Sequence, residues 1–151
     1  VASPKPISII DSDAIEALIS AGAVVLCAGG GGIPVISHKG GIEGVEAVID
    51  KDRVSALLAV SLNADFLFIS TAIDSVKLDF GEDNERSIAA MSISEASQYL
   101  EDGQFPEGSM RPKIEAMLFA KQNVSEISVS LCQPGDVIET MRGAAGTTIT
   151  E

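Results

Sequence analysis

Basic residues are scarce in this chain: ten lysines and arginines stand against 22 aspartates and glutamates, a net charge of -12. No basic stripe exists to neutralise a phosphodiester backbone, which argues against a nucleic-acid partner. A nucleotide is not disfavoured, because two or three placed lysines can make a locally positive site on an acidic protein. The acidity itself reads as solubility. Cysteine is also scarce. Cys27 and Cys132 each sit in an apolar, strand-like run and are expected to be buried free thiols rather than a disulfide. No apolar run reaches the ~18 residues of a spanning helix, so no membrane partner is expected. No signal-peptide pattern is present, which favours the cytoplasm. HExxH, paired-cysteine metal motifs and a nucleophile elbow are missing, and so are internal repeats and low-complexity segments. The lone His38 lies in a turn and is expected to be exposed.

What is present describes a folded chain. Its 151 residues are 46% apolar and 21% charged, enough for one domain, or one half of a bilobal protein, that buries roughly 70% of its unfolded surface. Because it opens on Val1, the chain is expected to be a piece of something longer.

The organising stretch runs from Val24 to Asp52. The run Val24-Val25-Leu26-Cys27 predicts a strand covered on both faces. It enters four consecutive glycines, Gly29, Gly30, Gly31 and Gly32. A bend without Cβ atoms lets backbone N–H groups converge on an anion. The pattern fits neither GxxxxGK[ST] nor GxGxxG, since Pro34 stands where the third glycine belongs, so a tight structural crossover is an equal reading. Ile33 and Val35, then Val45, Ala47 and Ile49, predict two antiparallel strands about a Gly40-Gly41 turn. Lys51 and Asp52 follow, with Asp52 as a candidate helix cap; a solvated lysine and a plain cap are the bland alternative.

Elsewhere the chain alternates helices and strands. Residues 1–10, with the prolines of VASPKP, read as an arm. A first helix is capped among Asp11, Ser12 and Asp13, carries Ile15, Leu18 and Ile19, and ends at Gly22. Val54, Leu57, Leu58 and Leu62 predict the buried stripe of a second. Phe66 to Ile69 reads as another doubly covered strand, entering the polar turn Ser70 to Asp74. Val76, Leu78 and Phe80 alternate in a short strand closed by Gly81, and Glu82 to Arg86 is a solvated loop. Ser92 and Glu95 form a capping box for a helix that ends at Gly103. Ser109 can cap the next helix, with Pro112 in its first turn and Met110, Ile114, Met117 and Leu118 on its apolar face. Its free N–H groups and Lys113 could seat a phosphate, or the lysine could simply be solvated. Ile127, Val129 and Leu131 predict a strand, Pro134 to Arg142 a brief helix, and Thr147 to Ile149 a last strand. This order predicts an α/β fold with a mainly parallel sheet and helices on both faces.

As a set, AGGGGIPV, GVEAVIDKD, the TAIDSV turn with VKLDFG, and EGSMRPKIEA resemble the C-terminal half of a carbamate kinase, a branch of the amino acid kinase superfamily. The opening VASPKP and closing GTTIT fit the same pattern, so the likeness spans essentially the whole chain. The resemblance implies a three-layer α/β/α sandwich. It implies reversible phosphoryl transfer between ATP/ADP and carbamate/carbamoyl phosphate, with Mg2+, and a homodimer of the full-length protein. Lys51 resembles the lysine that meets the transferred group, Asp52 the carboxylate that orients its flanking lysines, and Lys113 the second phosphate-binding lysine. Gly29 to Gly32 would lie by the phosphates. Thr71, Asp74, Val76, Leu78, Gly108, Ser109 and Met110 resemble the nucleotide's walls.

Two positions depart from the pattern. Ala72 stands where the family often has an aspartate, and Arg111 adds a bulky cation beside Lys113. The family's other half, with its own glycine-rich loop, most of the carbamate pocket and a mobile lid, has no counterpart in these residues. Alone, the chain is expected to bind nucleotide weakly and not to turn over. Two other readings stay open: a nucleotide-sensing or structural module, and a related kinase for another small carboxylate.

Overall fold

The computed structural model describes all residues from Val1 to Glu151. Its core is a four-stranded mixed sheet. The strands are β3 (Phe66–Ser70), β7 (Ser128–Cys132), β8 (Thr147–Thr150) and β6 (Ala90–Ser92), adjacent in that order. β3 pairs with β7 in parallel, Phe66 opposite Ser128, and β6 pairs with β8 in parallel. β7 and β8 run antiparallel, Val129 opposite Ile149. Two of the three pairings are therefore parallel, as the alternation of helices and strands predicts.

Two small hairpins stand outside this sheet. β1 (Val35–His38) and β2 (Gly41–Gly44) pair with His38 opposite Gly41. The turn is therefore Lys39-Gly40, and the second strand precedes the Val45-to-Ile49 segment read from sequence. Gly41 at φ 129° sits in backbone space that favours glycine. β4 (Val76–Leu78) and β5 (Arg86–Ile88) form the other hairpin, in which the expected loop closes into a strand at Arg86. The buried Thr147 hydroxyl ties this hairpin to the main sheet: it accepts from the Val76 N–H at 2.8 Å and donates to the Ile88 carbonyl.

Five helices accompany the strands: α1 (Ser12–Ser20), α2 (Lys51–Ser61), α3 (Ile93–Glu101), α4 (Met110–Asn123) and α5 (Val137–Met141). α3 has the expected capping box, with both reciprocal Ser92–Glu95 bonds present. The Ser92 N–H and hydroxyl hold the Glu95 carboxyl below its ordinary pKa range. α2 is capped by Asp50, not Asp52: the Asp50 carboxylate accepts from the N–H groups of Asp52 and Arg53 at 3.0 and 3.1 Å. Asp52 is thereby released for another partner. Ser109 precedes α4 but makes no side-chain cap bond.

α2 and α4 pack against each other, with small residues buried on both: Ala56 and Ala59 on one, Ala116 and Ala120 on the other. Together with Ile114, Met117, Val129, Leu131 and Ile149 these belong to one 19-residue core cluster. Burying apolar surface at about 25 cal/mol per Å2 makes this cluster the main source of stability.

Two strand expectations fail. Val24 to Cys27 forms no strand; Val24 and Leu26 are almost wholly exposed, and Cys27 is exposed too, unlike buried Cys132. A doubly covered strand needs a paired neighbour and two covering layers, and these residues have neither. β3 is likewise half covered. It pairs on one side only, and Phe66 is exposed while Leu67 and Ile69 are buried.

Candidate active site

Lys113 and Asp52 meet at the N-terminal ends of α4 and α2, the ammonium 2.8 Å from a carboxylate oxygen. Both are mostly buried, with side chains 15% and 10% exposed. The helical repeat explains the meeting. Asp52 shares a stripe with the buried Ala56 and Ala59, and Lys113 with the buried Met117 and Ala120. Each stripe turns toward the other helix, so the charges at their heads converge. Lys51 is the first residue of α2 and exposed, one position before Asp52. Two ammonium groups and one carboxylate thus share one end of the α2/α4 pair.

A second cross-helix pair has the opposite polarity. Arg53 of α2 donates to Glu115 of α4 at 2.8 Å, and Arg111 donates to the other Glu115 oxygen at 3.1 Å. Burial pushes the Glu115 carboxyl up, but its bonds from Arg53 and Arg111 outweigh that and hold it below the usual range. Arg111 is thus engaged by Glu115 and by the Leu100 carbonyl.

Lys113 also lines a cleft of about 190 Å3. Its apolar wall consists of Ile73, Phe80, Phe105, Pro106 and Met110; Thr71, Lys77, Gln104 and Ser109 supply polar groups. Thr71 lies just past the C-terminal end of β3, where its N–H bonds the Cys132 carbonyl. Ligands of open α/β sheets sit at such strand ends. Gln133 holds the turn by bonding the Ala72 carbonyl at 3.2 Å. Lys77 is raised above its ordinary pKa by the Glu85 carboxylate 2.8 Å away. An apolar wall with ammonium groups beside it suits a nucleotide, base on one side and phosphates on the other.

Several sequence candidates fall outside the cleft lining. Val76 and Leu78 are sealed in the core at 0% and 2% exposure, because β4 turns them inward. Asp74 accepts from the Ser75 hydroxyl, and neither Asp74 nor Gly108 lines the cleft, whereas Thr71, Ser109 and Met110 do. Lys77, Gln104 and Phe105 are lining residues that the sequence patterns did not single out.

The glycine bend is less open than its composition suggests. Gly29 donates to the Cys27 carbonyl, and Gly31 and Gly32 both donate to the Ala28 carbonyl. Of the four glycine N–H groups, only that of Gly30 lacks a backbone acceptor. The bend is nevertheless fixed beside α2. Gly31 is buried at φ 136°, and a Cβ there would strike the Ile49 carbonyl, next to the Asp50 cap.

A second cleft of about 90 Å3 lies among Lys5 and Pro6 of the arm, Arg53 and Leu57 of α2, and Glu115 and Phe119 of α4. Its Arg53 and Glu115 are already paired. No group of three or more histidine, cysteine or acidic side chains is placed to hold a metal ion.

Residues 2–132 match the model of the amino acid kinase family. The chain belongs to that family. Over 149 residues it is 46% identical to a carbamate kinase of Staphylococcus haemolyticus, an alignment covering 99% of this chain and 48% of that protein. A carbamate kinase of Thermoplasma volcanium is 40% identical over 150 residues, again 99% of this chain and 48% of the relative. Among solved structures, the carbamate kinase of Giardia lamblia bound to AMP-PNP superposes with a TM-score of 0.96 at 34% identity, covering 99% of this chain and 47% of that one. The amino acid kinase α/β architecture is thereby established. The chain spans about half the length of the curated relatives it matches. No helix is long and apolar enough to cross a membrane.

Proposed function

We propose that this chain is the nucleotide-binding, carboxy-terminal half of a carbamate kinase-type phosphotransferase. In the full-length protein it would serve reversible phosphoryl transfer between ADP and carbamoyl phosphate, giving ATP and carbamate. The observation that carries this reading is the Lys113–Asp52 pair beside Lys51 at the edge of an apolar-walled cleft. The likeness to carbamate kinases, one of them solved with AMP-PNP, supports it.

The reaction asks little covalent help of the protein. A terminal β-phosphate oxygen of ADP attacks phosphorus, and the bond from phosphorus to the carbamate oxygen breaks. What the protein supplies is charge neutralisation and in-line positioning. Lys113, its ammonium aimed by Asp52, and Lys51 would face the equatorial oxygens, where charge develops. Asp52 accepts from Lys113 at 2.8 Å and fixes where its ammonium points. The Asp50 cap and the Gly31 contact fix the helix end that carries Lys51. Magnesium, bound to the nucleotide's phosphates, would neutralise further charge. The protein acting as a homodimer in the cytoplasm belongs to the same proposal; sedimentation and cell fractionation test those two points.

The test is turnover of the full-length protein. Lys113→Ala is expected to lower kcat with carbamoyl phosphate and ADP by about 100-fold or more, the scale of losing one preorganised donor, while the circular dichroism spectrum stays folded. Normal turnover in that variant would refute the assignment. Transfer from another acyl phosphate, with none from carbamoyl phosphate, would place the activity with a different small carboxylate.

A further inference from the structure

The α2/α4 seam brings Asp52 and Lys113 together, yet the seam alone holds the register of the two helices weakly. Its buried small residues, Ala56 and Ala59 on α2 and Ala116 and Ala120 on α4, let the backbones approach closely. Methyl groups interlock shallowly and offer little resistance to one helix sliding along the other. A slip of one residue moves a side chain by about 1.5 Å. A misplacement of about 1 Å can cost about 100-fold in rate. The position of the Lys113 ammonium therefore needs a second point of attachment between the helices.

Arg53 and Glu115 supply it. Arg53 follows Asp52 on α2 and donates to Glu115 at 2.8 Å, and Glu115 stands just beyond Lys113 on α4. Successive helical residues are about 100° apart around the axis, so this bond and the Lys113–Asp52 bond grip α2 from different sides. One bond would leave a pivot; two restrain rotation and sliding together. Both Glu115 oxygens are used. The second accepts from the Arg111 Nε at 3.1 Å, and Arg111 also reaches the Leu100 carbonyl of α3 at 3.4 Å. Such charge-assisted bonds add geometric specificity. Stability alone does not call for them. The Arg53 Nε is buried without a partner, and apolar side chains can often replace a buried ion pair with no loss of stability. Polar contacts inside helix pairs are best attested as determinants of register.

We infer that Arg53 and Glu115 are positioning residues for phosphoryl transfer: they set the α2/α4 register that holds the Lys113 ammonium against the transferred group. The inference rests on the phosphotransferase reading above. Neither side chain lines the larger cleft that Lys113 lines. Both line the small cleft, together with Ala56 and Ala116 of the seam. Their effect on the reaction therefore passes through Asp52 and Lys113.

The test is a double-mutant cycle on turnover of the full-length protein with carbamoyl phosphate and ADP. Arg53→Met/Glu115→Met removes both charges together. It is expected to keep the wild-type circular dichroism spectrum and to lower kcat about ten-fold. In the Lys113→Ala background the same two substitutions are expected to lower kcat by less than about two-fold, because the group they position is gone. If that double variant does not fold, Arg53→Gln, which leaves Glu115 its Arg111 partner, takes its place in the cycle with the same expectations. Unchanged turnover beside a slow Lys113→Ala overturns the inference and leaves the phosphate site standing. An equal loss in both backgrounds overturns it too, since a merely structural role would act on both alike. If Lys113→Ala itself turns over normally, the phosphotransferase reading fails, and the inference fails with it.

Discussion

Residues 1–50 and residues 51–151 are built differently. Twelve of the seventeen large exposed apolar side chains lie in the first region, including Val24, Leu26 and Ile33. The 19-residue core cluster begins only at Ala56. Both regions carry apolar patterns of the kind that predicts buried elements, but only the second finds partners for them within the chain. Apolar periodicity reports what a segment is suited to bury; whether it is buried depends on which other polypeptide is at hand. The relatives are about twice as long as this chain.

Truncations in the second region should therefore be costly. Met117→Ala, at a fully buried position, is expected to lose about 2–5 kcal/mol in urea unfolding. A loss below about 1 kcal/mol would mean that the core is looser than its packing indicates. Gly31→Ala probes a contact inside the first region, where the glycine bend meets the Ile49 backbone beside the Asp50 cap of α2. The left-handed-side φ and the approach of the Ile49 backbone should cost about 1–3 kcal/mol, seen as a lower midpoint. If the midpoint does not move, that contact does not hold the glycine bend in place.

A smaller effect concerns acid. Glu115 is held below its ordinary value of 4.5. Below that value the unfolded chain binds protons that the folded chain refuses. The stability Glu115 contributes is thus complete above about pH 4.5 and is lost as pH falls through the lowered folded value. Urea midpoints of Glu115→Gln are expected to decline less steeply in that window than those of the wild type, with part of the slope kept by Glu95, which is lowered too. Parallel declines would mean that the bonds from Arg53 and Arg111 to Glu115 add nothing to the stability of the second region. The smallest effect is expected at Leu26→Ala, within about 0.5 kcal/mol, because Leu26 is 97% exposed. A loss of several kcal/mol there would break the contrast between the regions.

The same contrast explains what the sequence made legible. Helix ends with local chemistry were readable: the Ser92–Glu95 capping box and the stop at Gly103 depend on residues within one turn. Strands β7 and β8 were readable because their neighbours lie within the chain. Val24 to Cys27 was not, since its burial depends on non-local cover. β5 and β6 were hidden because Arg86-Ser87-Ile88 and Ala90-Met91-Ser92 each offer one large apolar residue and so no alternation, unlike Val76, Leu78 and Phe80 at β4. At the site, the resemblance named Lys51, Asp52 and Lys113; apolar spacing pointed to Val54, Leu57, Leu58 and Leu62 as the buried stripe of α2, whereas the structure buries Asp52, Val54, Ala56 and Ala59 there. Asp52 with Ala56 and Ala59, and Lys113 with Met117 and Ala120, show the same i, i+4, i+7 stripe. The cap was misassigned because Asp50 and Asp52 are equally good capping residues, and only the entry of the backbone into α2 decides between them. The closed bonding of the glycine bend was invisible, since four glycines permit many turns and composition does not select one.

The central claim is that Lys113, aimed by Asp52, grips the phosphates of a nucleotide whose base lies in the adjoining cleft. The most direct measurement compares the affinities of the wild type and Lys113→Ala for ADP and for adenosine, by calorimetry at one ionic strength. ADP affinity is expected to fall at least ten-fold toward that of adenosine, while adenosine binding stays the same. An ADP affinity equal to the wild type's would contradict the claim.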